Sequence, residues 1–126
     1  MNTKELVNWI NELYRNNTID RFYNSKYFKR VKYEVMREQH YECQRCKEKG
    51  KLTIVKPKHL RSKDNKRNGV VHHVKEVRDN PGLALSKYYI DKQGRKQRQL
   101  IVLCDECHEI VHNRFKKKEL LNIERW

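Results

Sequence analysis

The sequence predicts a small α+β fold, and three observations carry that reading. Apolar residues recur at helical spacing through the first forty positions, short β-rich runs lie near residues 70–74 and 88–103, and two Cys-x-x-Cys knuckles, Cys43/Cys46 and Cys104/Cys107, bracket the β-rich part. A chain of 126 residues has room for one domain and no second substantial core. Its apolar share of 37% is low, so the core is expected to be modest and to need a staple.

Residues 3–16 set Leu6, Trp9, Ile10 and Leu13 on one helical face, with Thr3 as the expected N-cap. Residues 26–39 do the same with Tyr27, Phe28, Val31, Val35 and Met36, and both stripes read as core packing. Lys56 to Gly69 holds Pro57, Asn65, Asn68 and Gly69 among Lys and Arg, the composition of a mobile basic loop. Solvation and contact with a phosphate backbone are equally good readings of its charge. Val70–Val74 reads as a short strand, broken by Asp79-Asn80-Pro81-Gly82. Tyr88–Ile90, the turn Asp91–Gly94 and a basic run into Leu100–Leu103 predict two strands about a turn. From Asp105 the pattern is helical again, with Ile110, Val111 and Phe115 apolar, and Leu120–Trp126 is a last apolar segment.

The four cysteines admit two readings, two disulfides or one metal site. No apolar run of signal-peptide type follows Met1 and no stretch approaches membrane-spanning length, which favours a reducing, cytoplasmic setting and metal ligation. Zinc prefers soft thiolates in a tetrahedron, and each Cys-x-x-Cys turn presents two of them convergently. The 57 residues between Cys46 and Cys104 far exceed the roughly 12–20 of common zinc ribbons, so something is built between the halves of the clamp.

Thirty Lys and Arg against 16 Asp and Glu give a net charge of +14. A surface of that sign binds polyanions through counterion release, and nucleic acid is the expected partner. An anionic membrane fits less well, because no long amphipathic basic helix is present to lie on it.

Four of the six histidines cluster with the cysteines: His72 and His73 adjacent in the expected strand, and His108 and His112 four apart after the second knuckle. Adjacent strand residues point to opposite faces, so His72 and His73 can take different roles. Residues four apart on a helix share a face, so His108 and His112 can converge on one ion. His40 and His59 lie outside the clusters and read as ordinary surface histidines.

Val70-Val71-His72-His73-Val74, followed by Gln99-Leu100-Ile101-Val102-Leu103-Cys104-Asp105-Glu106-Cys107-His108, resembles the HNH endonuclease family. Tyr41–Cys46 is similar to the zinc knuckle of many members, and residues 22–46 look like the lead-in of small phage-encoded ones. The resemblance covers about residues 22–115 and implies a ββα-metal core stapled by the four-cysteine zinc site. It makes residues 1–21 an N-terminal helical extension and 22–126 the nuclease domain. By that match His72 is a ligand of the catalytic ion, His73 the general base, His108 a second ligand, and His112 a third. The family often has Asn where this chain has Gln99. Gln99, or Asn80 from the loop, is then the residue expected to orient the base or brace the hairpin.

The activity implied is metal-dependent hydrolysis of DNA phosphodiesters, with magnesium, manganese, nickel or zinc as the catalytic ion. Lys58, Arg61, Lys63, Lys66, Arg67, Lys92, Arg95, Lys96 and Arg98 are the expected contacts to the phosphate backbone. The phage resemblance further implies action beside a terminase in genome packaging, in the host cytoplasm. A non-catalytic, zinc-stapled nucleic-acid-binding module is the competing reading, and an inactive scaffold of the same fold is a third.

Overall fold

A computed structural model describes residues 1–56 and 69–111. Along them run helices α1 (Thr3–Arg15), α2 (Asp20–Tyr23), α3 (Lys26–Glu38) and α4 (Gln44–Glu48), then strand β1 (Gly69–His73), a 3₁₀ turn at Pro81–Leu83, and strands β2 (Tyr88–Ile90), β3 (Lys96–Arg98) and β4 (Leu100–Cys104). A final helix, α5, occupies 105–111. β1 pairs with β4, and β2 pairs with β3 in a separate two-stranded sheet. Two compact units emerge, one of residues 1–40 and 71–101 and the other, among the described residues, of 41–56, 69–70 and 102–111.

The first unit is built on the helical stripe of α1, where Leu6, Ile10 and Leu13 are buried. They join Phe22, Phe28, Val77 and Ala84 in one core, with Trp9, Tyr14, Ile19 and Leu85 packed against it. Aromatic edges dominate it: Phe22 lies 5.2 Å from Phe28 and 5.8 Å from Trp9, centroid to centroid. The N-cap of α1 is Asn2 and not Thr3. Asn2 Oδ1 accepts the Glu5 N–H at 2.8 Å while Asn2 Nδ2 donates to Glu5 Oε1, so two groups of the first turn satisfy each other. Ser25 caps α3 through Oγ, which accepts from Phe28 N and donates to the Phe22 carbonyl at 2.6 Å.

The expectation of two strands about a turn after residue 88 is revised. The partner of β2 is the short, polar β3, in the register Tyr88↔Arg98, Tyr89↔Gln97 and Ile90↔Lys96, whereas the apolar run 100–104 pairs with β1. Leu100, Val102 and Leu103 are buried and Lys96–Arg98 are exposed, so burial separates two strands that the continuous run had merged.

In the second unit, Cys43 N donates to the Thr53 carbonyl and Val55 N to the Tyr41 carbonyl, closing the first knuckle into a small loop. A Cβ on Gly69 would lie 2.5 Å from two atoms of the buried Val55 side chain, so only glycine allows that approach. The expected loop over Lys56–Gly69 falls largely on residues 57–68, outside the described chain. Among the described residues no helix is long and apolar enough to cross a membrane.

Candidate metal centre and active site

The two knuckles meet. Cys43, Cys46, Cys104 and Cys107 are all buried, and their sulfurs lie within 4.8 Å of one another. Cys46 Sγ is 3.6 Å from Cys107 Sγ and 3.9 Å from Cys104 Sγ, and none of the four forms a disulfide. Four sulfurs about 2.3 Å from a central zinc stand about 3.8 Å apart, so the group can hold a tetrahedral ion with little adjustment. Cys43 sits at the N-terminus of α4 and Cys46 on it, while Cys104 ends β4 and Cys107 lies on α5. Fifty-seven intervening residues are spanned because a strand and a helix start converge on α4.

Two neighbours fit an anionic cluster. Arg45 Nη1 donates to Cys107 Sγ at 3.6 Å, placing a guanidinium beside accumulating thiolate charge. Thr53 Oγ1 is buried and closes no hydrogen bond of ordinary length. Its hydroxyl leans on Cys46, whose thiol is drawn down to about 7 chiefly by that donor, against the penalty of burial. A thiolate at Cys46 would offer that hydroxyl an acceptor. Burial drives Cys104 the other way, up to about 12, and raises Cys43 too. Four thiolates gathered there would need a divalent cation to balance their charge.

The first unit holds His73 and Gln99. His73 ends β1, and its ring is stacked on Phe28 with centroids 5.4 Å apart and planes 23° apart, with Phe22 and Tyr23 beside it. Its Nε2 lies 2.9 Å from the Ala84 carbonyl. A carbonyl can only accept, so Nε2 carries the proton and the basic lone pair is on Nδ1. Burial holds its pKa below the ordinary 6.5, offset in part by the Ala84 carbonyl, and the ring is therefore neutral at pH 7. His72 is half-buried, against buried His73, as strand alternation requires.

Gln99 is fully buried and bonded at every polar atom. Its Oε1 accepts the Lys75 N–H at 2.9 Å and its Nε2 donates to the Lys75 carbonyl at 2.8 Å. Its main chain accepts from Val74 N and donates to the Lys87 carbonyl, each at 2.8 Å. Gln99 thereby ties the segment just after His73 to the start of β4. Asn80 instead precedes the 3₁₀ turn and makes no side-chain capping bond.

His108 is half-buried on α5, directly after Cys107. His112 lies outside the described residues, as do Lys58, Arg61, Lys63, Lys66 and Arg67. Lys92, Arg95, Lys96 and Arg98 are exposed on the β2–β3 hairpin. Sequence reasoning missed Thr53, Arg45, Phe28 and the Ala84 carbonyl as partners of the site. Only Arg45, inside a knuckle, carried any signal, since contacts such as Phe28 on His73 exist only after folding.

No family model matches the chain, and neither does any curated protein. Among solved structures it is similar to the HNH endonuclease of the deep-sea thermophilic bacteriophage GVE2, crystallised with manganese ion. The TM-score is 0.53 at 22% sequence identity, over 86% of this chain and 92% of the phage protein. With strands β1 and β4 followed by α5, and four cysteines gathered for a metal, this chain has the fold of an HNH endonuclease.

Proposed function

We propose that the protein is a metal-dependent DNA endonuclease, with His73 as general base and a structural zinc ion on Cys43, Cys46, Cys104 and Cys107. The observation that carries the reading is His73 itself: fixed by the Ala84 carbonyl, neutral at pH 7, and basic at Nδ1. His73 takes a proton from the attacking water at Nδ1, and the imidazolium so formed keeps its Nε2–H on the Ala84 carbonyl. Gln99 acts on positioning, by holding the Lys75 main chain two residues beyond the base.

His72, His108 and His112 are the proposed ligands of the catalytic ion. Imidazole donors suit manganese, nickel or zinc better than bare magnesium, and the similar phage enzyme was crystallised with manganese. Held by these residues, a divalent ion would supply charge stabilisation for the phosphoryl oxygens and the leaving 3′-oxygen. The exposed cations of the β2–β3 hairpin, together with the basic stretch 58–67, hold the DNA backbone. Action on phage DNA beside a terminase is the biological setting this reading favours.

A non-catalytic, zinc-stapled binding module is the second reading, and one observation favours it. His73 is only 8% exposed and stacked in the aromatic core, as a purely structural histidine would be. Supercoiled plasmid incubated with manganese separates the two when wild type is compared with His72→Ala and His73→Ala and each melting temperature is measured. The nuclease reading expects His72→Ala to keep its fold and lose cutting. Normal cutting by a folded His73→Ala variant removes the base, and no cutting by wild type with any of the four metals removes the enzyme.

A further inference from the structure

The β2–β3 hairpin is exposed on nearly every residue. Tyr88 is 43% and Ile90 66% exposed, and every residue of β3 faces solvent. Two strands alone are marginally stable in water, so local contacts must hold them. The turn provides these: Asp91 Oδ1 accepts from Gln93 N and Arg95 N, Asp91 Oδ2 accepts from Gln97 Nε2, and Gly94 takes the left-handed φ of 77° that the turn requires. Asp91 is the only acidic residue from 87 to 98, and its carboxylate is spent inside the turn.

Residues directly opposite on an antiparallel pair share a face, so Tyr88 and Arg98, with Ile90 and Lys96, form one surface. Lys96 Nζ lies diagonally over the Tyr88 ring at 4.1 Å. This face alternates apolar and cationic side chains without an acidic one. The root of the hairpin is fixed to α3, because Lys87 Nζ reaches Glu38 Oε1 at 2.7 Å and Glu34 Oε2 at 3.0 Å.

From this juxtaposition we infer that the β2–β3 hairpin enters the major groove of duplex DNA, presenting Tyr88, Ile90, Lys96 and Arg98 to base edges. The inference rests on DNA as the substrate and moves Lys96 and Arg98 from the backbone to base edges, leaving Lys92 and Arg95 of the hairpin to the phosphates. A major groove about 12 Å wide admits a two-stranded ribbon. Arg and Lys match guanine O6 and N7, and an exposed isoleucine matches the thymine methyl. Phosphates need only the cations, whereas the groove also offers Ile90 an apolar partner in the thymine methyl.

The test keeps charge constant and is read on zinc-loaded protein with no chelator and no added catalytic metal, so that binding is scored independently of cutting. Full-length wild type and the double variant Tyr88→Ser/Ile90→Ser are titrated onto duplex and single-stranded DNA across a salt series, and dimethyl sulfate maps the bound duplex. The inference expects guanine N7 protection by wild type. It also expects about a tenfold loss of duplex affinity in the variant, with an unchanged salt slope and melting temperature. It is overturned by undiminished duplex affinity in the folded variant, by an equal loss on single strands, or by protection at adenine N3 alone or at neither atom. Wild-type N7 protection is scored even if the variant misfolds. Failure of the nuclease reading would instead show as protected DNA that no metal causes to be cut.

Discussion

Replacing Gln99 by alanine removes two side-chain hydrogen bonds at once, at 2.9 and 2.8 Å, and leaves the N–H and carbonyl of Lys75 without those partners. Each bond contributes about 1 kcal/mol net, and the lost buried methylene adds about 0.8 kcal/mol. The expected destabilisation is roughly 3 kcal/mol, or about 10 °C in Tm for a chain of this size. The assay is urea and thermal unfolding of zinc-loaded protein, beside plasmid cleavage. The isosteric Gln99→Glu variant sharpens it. One carboxylate oxygen still accepts from Lys75 N–H, but the other faces the Lys75 carbonyl and is tolerated only when protonated. Burial raises that carboxyl's pKa, so the variant's stability is present at low pH and lost as pH rises through the raised value. A loss below about 1 kcal/mol in Gln99→Ala, with cleavage intact, would refute the idea that this amide braces the segment beyond His73.

Cys43→Ser should lower bound zinc from one per chain to near none and abolish a cooperative melt, measured by metal analysis and calorimetry; retained zinc and Tm would exclude the staple. Gly69→Ala should cost about 1–3 kcal/mol because its Cβ would meet Val55 at 2.5 Å, and Val55→Ala in the same chain should recover part of that loss in a denaturant melt. Because burial depresses the His73 pKa, the neutral base persists below pH 6.5. Cleavage should therefore be fully present above that value and lost only as pH falls through the lower folded one; an acid limb above pH 6.5 would contradict the assignment.

The sequence made the chemistry-bearing positions legible more fully than their surroundings. Paired Cys-x-x-Cys turns state their ligands in the spacing, and the four sulfurs do converge. The stripe Leu6, Ile10, Leu13 is legible because a helix core face repeats at 3.6 residues, and it is buried as expected. The cap was misread because Thr3 and Asn2 are both good caps, and only backbone geometry decides that Asn2 Oδ1 reaches Glu5 N. β3 was illegible for a different reason: Lys96, Gln97 and Arg98 have no apolar alternation, and their strand exists only through pairing with β2. The aromatic setting of His73 joins Phe22, Phe28 and Ala84, which are far from it in sequence, so no local pattern encodes it.

The proposed activity is cleavage of DNA with a bound divalent ion. The test is supercoiled plasmid incubated with purified, zinc-loaded wild-type protein in manganese, beside a control with no added catalytic metal. Nicked or linear DNA is expected in manganese and none in the control. DNA that stays supercoiled with manganese, magnesium, nickel and zinc alike, while the protein still shifts it in a gel, would contradict the account and leave a zinc-stapled binding module.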